Sequence, residues 1–226
     1  MPERHTESNI ANVLKEAICE WGIPPKAPQV TNNAANMYAA ATEAECFPHI
    51  GCLAHTLNLA AQKALKVNTV SRILARIRRI VSFFHRSTTA ATELKQKILL
   101  LGIRNGNNRK LIMDVCTRWN SAADMLERFL ELQPAVYAAL CSKDIKYKER
   151  DISTLSESDV QLAEEIMECL IPLREITKAI CTEKMPTVSI ILPLLEKLRR
   201  FVTVKENDQP VLKQMKQAMA QNLSTS

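Results

Sequence analysis

The chain predicts a mainly α fold, with one or two short strands near its N-terminus. Only 4 of its 226 residues are glycine and 4% are aromatic, while 46% are hydrophobic. That composition packs helices through Leu, Ile, Ala and Met and leaves a glycine-rich β architecture without its turns. Apolar residues also recur at helical spacing over long segments, punctuated by capping patterns and by Gly and Pro stops.

The elements follow in chain order. Ser8 predicts an N-cap for a helix in which Ile10, Val13, Leu14, Ile18 and Trp21 keep the i, i+3, i+4 rhythm. Gly22 stops it and Pro24-Pro25 prevents resumption. Pro28, Gln29, Val30 and Thr31 read as a strand, followed by a helix over 34–44. A brief extended stretch from His49 leads to a helix from about His55. Residues 70–86 are an amphipathic helix, with Val70, Ile73, Leu74, Ile77, Val81 and Phe84 on one stripe. Arg72, Arg76, Arg79 and Arg86 form the neighbouring stripe.

A helix over 88–100 precedes a basic loop rich in Gly and Asn, and residues 110–115 fit a short strand or a helix lead-in equally well. Ser121 with Asp124 predicts a capping box for the next helix, which Pro134 should kink or split. Ser156 with Asp159 predicts a second box, opening a helix to about Cys181 that Pro172 should bend. The last helix, 187–202, carries Pro193, and the tail after Glu206 is expected to fray.

No apolar run approaches the ~18 residues of a membrane span. The first ten residues lack the apolar core of a signal peptide. Seven cysteines scattered over the chain are not a secreted disulfide framework and read as reduced thiols of the cytosol or nucleus. The net charge of +6 hides an asymmetry. Residues 63–118 hold 13 Lys/Arg against 2 acids, and residues 119–196 hold 8 against 14. A basic third of this kind suits a polyanion, or else meets the acids of the later segment.

The strand end at Asn32-Asn33, just before a helix, is where α/β enzymes often place a catalytic carboxylate. An amide stands there, either as an ordinary cap or as the trace of a site that no longer works. Cys46, His49, Cys52 and His55 imitate four zinc ligands, but zinc sites usually set their ligand pairs about a dozen residues apart. A buried thiol and a helix-capping His are expected instead, and no metal or other cofactor. Asp114, Asp124 and Glu127 suggest no acid/base set, since Asp124 serves as a cap and Glu127 as a solvated partner for Arg128 or Lys neighbours. No glycine-rich phosphate loop occurs.

Two local patterns go further: residues 30–37 with 52–65, and residues 114–132, "DVCTRWNSAADMLERFLEL". With "IRRIVSFFHRS" between them, they resemble the hAT superfamily of DNA transposases, and most closely its domesticated zinc-finger BED-domain relatives. The resemblance covers about residues 5–205. It implies a helical insertion-domain bundle attached to a remnant of a ribonuclease-H-like α/β core, which in the family holds Mg²⁺ with two Asp and a Glu.

Asn32 matches the position of one such Asp, so an uncharged amide replaces a metal-binding carboxylate. The first Asp is expected before residue 1 and the Glu beyond the end, and the BED finger is absent. The chain is therefore expected to be a fragment or truncated relative. Its expected divisions are a partial core over 1–55, a helical insertion domain over 56–205 and a frayed tail over 206–226. Cys52 and His55 match the family's Cys-x₂-His signature. Arg118 and Trp119 match a pair that lies near the cleaved DNA end, where the Trp stacks on a base turned out of the helix, while a large aromatic at a helix start otherwise packs into the core.

The leading expectation is a catalytically inactive, nuclear, transposase-derived domain that binds DNA through Arg72, Arg76, Arg79, Arg104, Arg109, Lys110, Arg118 and Trp119. Homodimer or protein contacts would use regions outside this chain. The alternative is a helical protein-interaction scaffold without DNA, and the two divide on whether the arginines share an open face or meet the acids of 157–183. An active nuclease fails on its missing carboxylates.

Overall fold

The computed structural model describes residues 6–22, 29–31, 34–45, 49–103, 109–146, 152, 154–181 and 190–223. The N-terminal elements are α1 (Glu7–Glu20), β1 (Gln29–Thr31), α2 (Ala35–Glu43) and β2 (His49–Gly51). There follow α3 (Leu53–Leu65), α4 (Asn68–Arg86), α5 (Thr88–Leu100) and α6 (Trp119–Leu140). The chain continues with α7 (Lys143–Lys146), α8 (Glu157–Ile180), α9 (Ile191–Val202) and α10 (Pro210–Leu223). The mainly α expectation holds. The two strands pair in parallel, Val30 opposite Ile50, with α2 crossing between them.

Two apolar clusters organise these elements. The smaller joins α1 to α2 through Ala11, Ala40, Ala41 and Ala44, flanked by Ile10, Leu14 and Ile18. The larger is built round α4, whose Val70, Ile73, Leu74, Ile77, Ile80, Val81 and Phe84 are all buried. That stripe is wider than one helix can cover, and α3, α5, α6 and α8 all lie against it. Gly22 and Gly102, both at φ 60°, take the left-handed conformation that stops α1 and α5.

Several local expectations change. α1 is capped by Thr6, whose hydroxyl accepts from the Asn9 N–H, while the Ser8 hydroxyl donates to Glu43. The Ser121–Asp124 box does not form, because α6 starts three residues earlier than a Ser121 cap requires, at Trp119. Ser121 instead donates to the Arg118 and Val115 carbonyls and accepts from the Val115 N–H, closing the turn before α6. Residues 111–115 are neither strand nor helix.

Pro134 and Pro172 sit inside helices that continue past them. Their neighbours Leu132, Ala135 and Val136, and Leu170 and Leu173, are buried in the main core and hold the chain on both sides of each proline. Pro193 lies in the first turn of α9, where a missing N–H costs no helical bond.

The largest correction is at the C-terminus. The tail read as frayed contains α10, packed chiefly on α3. Val211, Met215 and Met219 recur every fourth residue and are buried. Lys216 is buried too, its ammonium 2.7 Å from Asp208 and 5.6 Å from the centre of the Phe201 ring. The Lys205 N–H and then the Lys216 ammonium hold the Asp208 carboxyl below its ordinary range. Gln214, Gln217 and Gln221 form the exposed face of this amphipathic helix.

The second capping box forms as expected. The Ser156 hydroxyl accepts from the Asp159 N–H, and the Asp159 carboxylate accepts from the Ser156 N–H. The Ser156 hydroxyl and N–H, and then Arg76, lower the Asp159 pKa. A lowered carboxylate pKa stabilises the fold above the ordinary range of about 4 and loses that contribution as pH falls toward the folded value. Ser156→Ala should therefore cost about 0.5–2 kcal/mol at neutral pH. The gap from the parent should narrow below about pH 4. Urea unfolding at several pH values measures it, and a pH-independent gap would exclude the carboxylate from the effect.

Candidate nucleic-acid interface

The basic third lies mostly on α4, α5 and the segment leading into α6. At about 100° per residue, Arg72, Arg79 and Arg86 fall on one stripe of α4, and all three are exposed. Each step of seven residues advances about 10 Å along the axis. Arg76 stands beside that row and Arg78 farther round the helix, and both are drawn into ion pairs.

Arg76 pairs with Asp159 at the start of α8 and also donates to the Thr154 carbonyl at 3.1 Å. Arg78 makes a two-pronged pair with Asp114, at 2.9 and 2.6 Å, and the Asp114 side chain is only 1% exposed. The Asp114 bond outweighs burial and raises the Arg78 pKa, so this guanidinium stays charged.

The same pattern continues on α6. Arg109 pairs with Glu131, which also meets Arg128 at 3.2 Å, and Arg128 donates to the Lys110 carbonyl at 3.1 Å. Arg174 of α8 grips Glu127 with two bonds, 2.8 and 3.0 Å, and lies 3.6 Å from Asp124. That grip holds the Glu127 carboxyl below its ordinary range. Glu127 thus partners Arg174, 47 residues away, and not the adjacent Arg128.

The expected DNA-binding set therefore divides. Arg72 and Arg79 share the exposed row, and Lys110 and Arg118 are also exposed. Arg76 is engaged by an acid of 157–183, as the scaffold reading requires, and Arg109 by Glu131. Arg104 and Asn32 lie outside the described residues. Trp119 is 3% exposed and belongs to the main core, so its indole face is packed against protein and closed to a base. Of the two readings of Trp119, its burial as the first residue of α6 favours core packing over base stacking.

Cys52 is the N-cap residue of α3 without a side-chain bond, and His55 stands inside that helix rather than capping it. Both are half-buried. Cys46 is outside the described residues. Among the described residues, no three His, Cys, Asp or Glu side chains come together as a metal site. No described helix is long and apolar enough to cross a membrane.

Sequence reasoning missed the Arg78–Asp114 pair and the value of Arg86. Arg86 was legible from its seven-residue spacing to Arg79. The buried pair left no such signal, since 36 residues and a whole helix separate its members.

The family described as the ZBED1 RNase-like helical domain matches residues 50–169. The chain is also 26% identical, over 185 residues, to the zinc finger BED domain-containing protein 4 of Homo sapiens. That likeness covers 78% of this chain and 15% of the relative, so the chain spans a small part of the longer protein's length.

Proposed function

Because this chain belongs to the ZBED1 RNase-like helical domain family, and so is transposase-derived, we propose that it associates with duplex DNA in nuclear complexes without cutting the strand. The observation that carries DNA association is the exposed row of Arg72, Arg79 and Arg86 on one stripe of α4. Arginines so displayed suit phosphates rather than base edges, which gives binding that tolerates sequence and weakens with salt. The absence of cleavage rests on Asn32, a neutral amide where the hAT resemblance puts a metal-binding Asp. A divalent cation that polarises phosphate oxygens needs converging negative charge. Self-association or protein partners would use regions outside this chain.

Replacing Arg72, Arg79 and Arg86 together by Gln should weaken binding alike across unrelated duplexes. The salt slope of binding should fall by roughly 0.9 for every phosphate that the variant no longer neutralises. Arg76→Gln is the comparison, expected to lower stability and leave the slope unchanged. An unchanged slope in the triple variant would remove the row from DNA. With Mg²⁺ or Mn²⁺ the protein should leave plasmid DNA intact, and Asn32→Asp should restore no nicking. Metal-dependent nicking abolished by Asn32→Ala would overturn the non-cleaving part.

A second reading has its own support. The pairing of Arg76, Arg109 and Arg174 with Asp159, Glu131 and Glu127 spends much of the basic charge inside the fold. That favours a helical protein-interaction scaffold, and the unchanged slope would select it.

A further inference from the structure

The row of Arg72, Arg79 and Arg86 is one side of a larger feature on α4. Arg78 and His85 also stand seven residues apart, each one place before a member of the row, and so form a second stripe about 100° round the helix. That stripe holds the segment leading into α6. The His85 Nε2–H donates to the Leu111 carbonyl at 2.9 Å, and Arg78 grips Asp114. Farther along, Gln62 of α3 donates to the Thr117 carbonyl at 2.8 Å, while Arg128 of α6 donates to the Lys110 carbonyl. Residues 110–117 form no helix or strand, yet they are pinned from three helices and run beside α4 against its direction.

Between the two stripes lie Ala75, exposed, and Ser82, half-buried. The result is a shallow trough along α4, with the arginine row as one wall and residues 110–118 as the other. A helix with its side chains is about 10 Å across, so the walls stand on the order of 10 Å apart. The crest of the second wall is apolar in the middle and cationic at its ends. Met113 is 36% and Val115 51% exposed, and Lys110 and Arg118 are exposed. α4 contains no acid, and the one acid of residues 109–118, Asp114, is buried against Arg78. Ile112 borders the α6 side, where Asp124, Glu127 and Glu131 are each taken up by an arginine.

We infer that this trough seats one phosphate ridge of a DNA duplex, with the minor groove turned to Met113 and Val115. This rests on the DNA reading above and adds the class of nucleic acid. The arginine row meets the phosphates from one side, and Lys110 and Arg118 meet them at the two ends of the crest. Phosphates alone give no use for two exposed apolar side chains. The walls of the DNA minor groove are deoxyribose faces, which are apolar, and methionine is among the side chains that enter it. The major groove, about 12 Å wide, needs a whole helix or ribbon to reach its base edges, and a low crest supplies neither. In an A-form RNA duplex the minor groove displays 2′-hydroxyls, which an apolar crest dehydrates without offering a bond in return. The site therefore selects DNA over RNA, which an arginine row cannot do by charge alone.

Fluorescence anisotropy of the full chain on A·T-rich DNA and RNA duplexes of matching sequence, at several salt concentrations, is the test. The DNA should bind at least about tenfold more tightly than the RNA. Met113→Gln with Val115→Thr, both at exposed positions, should cancel that preference and leave the DNA salt slope unchanged, because no charge is removed. Netropsin, which fills the minor groove of A·T-rich DNA, should displace the unaltered protein. Circular dichroism verifies that the variant remains folded. Equal affinity for DNA and RNA, a preference that the variant keeps, or indifference to netropsin would take the crest out of the site and leave the arginine row standing. Absence of any salt-dependent duplex binding would sink the DNA reading itself, and the trough with it.

Discussion

Trp119→Ala lowers the free energy of unfolding by about 3–5 kcal/mol, the range for emptying a large aromatic from a packed core. The indole is 3% exposed and lies in the cluster that also contains Leu126, Phe129, Leu74 and Ile77. Interiors are packed at crystal-like density, so the hole left by an indole closes only in part. Urea unfolding should show the midpoint falling with the slope m unchanged, which marks lost stability rather than a changed unfolded state.

The resemblance of "TRWNS" to the hAT pattern predicts something else: a small stability change, with affinity lost for flapped ends more than for plain duplex. Burial decides between them. An indole already surrounded by protein has no face to offer, and the 1–3 kcal/mol of stacking per base is available only to an exposed ring. In conditions where the variant stays folded, affinity for the two DNA forms should change in parallel. A selective loss for flapped ends at unaltered stability would restore the stacking role.

What the sequence disclosed was local, and what it hid was distant. The helix over 88–100 appears as α5, Thr88–Leu100, because its boundaries are written in neighbouring residues: the Ser87 hydroxyl caps it and Gly102 ends it. The Ser156–Asp159 box was legible for the same reason, as a bond across three residues. The identically spaced Ser121–Asp124 pair failed because Trp119 is drawn into the core, which starts α6 early and leaves Ser121 inside the first turn. Tertiary packing overrode a local signal there.

The charge asymmetry was equally plain, but its use was not. Nothing along the chain says that Arg76 meets Asp159 across 83 residues while Arg72, four residues earlier, points to solvent. Helical phase separates the two by about 40° only. Which of them is covered depends on where α8 lies. α10 was missed because its apolar residues, Val211, Leu212 and two methionines, stand among Gln and Lys and look unremarkable until α3 is placed beneath them.

The Arg78–Asp114 pair should show the next largest effect, and an asymmetric one. Arg78→Met removes both hydrogen bonds and, among the described residues, the sole ion-pair partner of a carboxylate that is 1% exposed. An ion left buried and unpaired costs about 3–5 kcal/mol. Asp114→Leu strands the opposite charge, but the Arg78 side chain is 32% exposed and can turn its head to water. Its cost should be nearer the 1–3 kcal/mol of a lost charged hydrogen bond. Because the penalty in Arg78→Met belongs to the stranded carboxylate, adding Asp114→Leu to it should recover stability. The double variant should be less destabilised than Arg78→Met alone, as measured by chemical unfolding of all four proteins. Additive losses would mean that the two side chains do not depend on each other. The pair also ties α4 to the irregular segment that delivers Trp119 to α6, so its loss should speed backbone amide exchange across 111–118 before it does so in α4 itself.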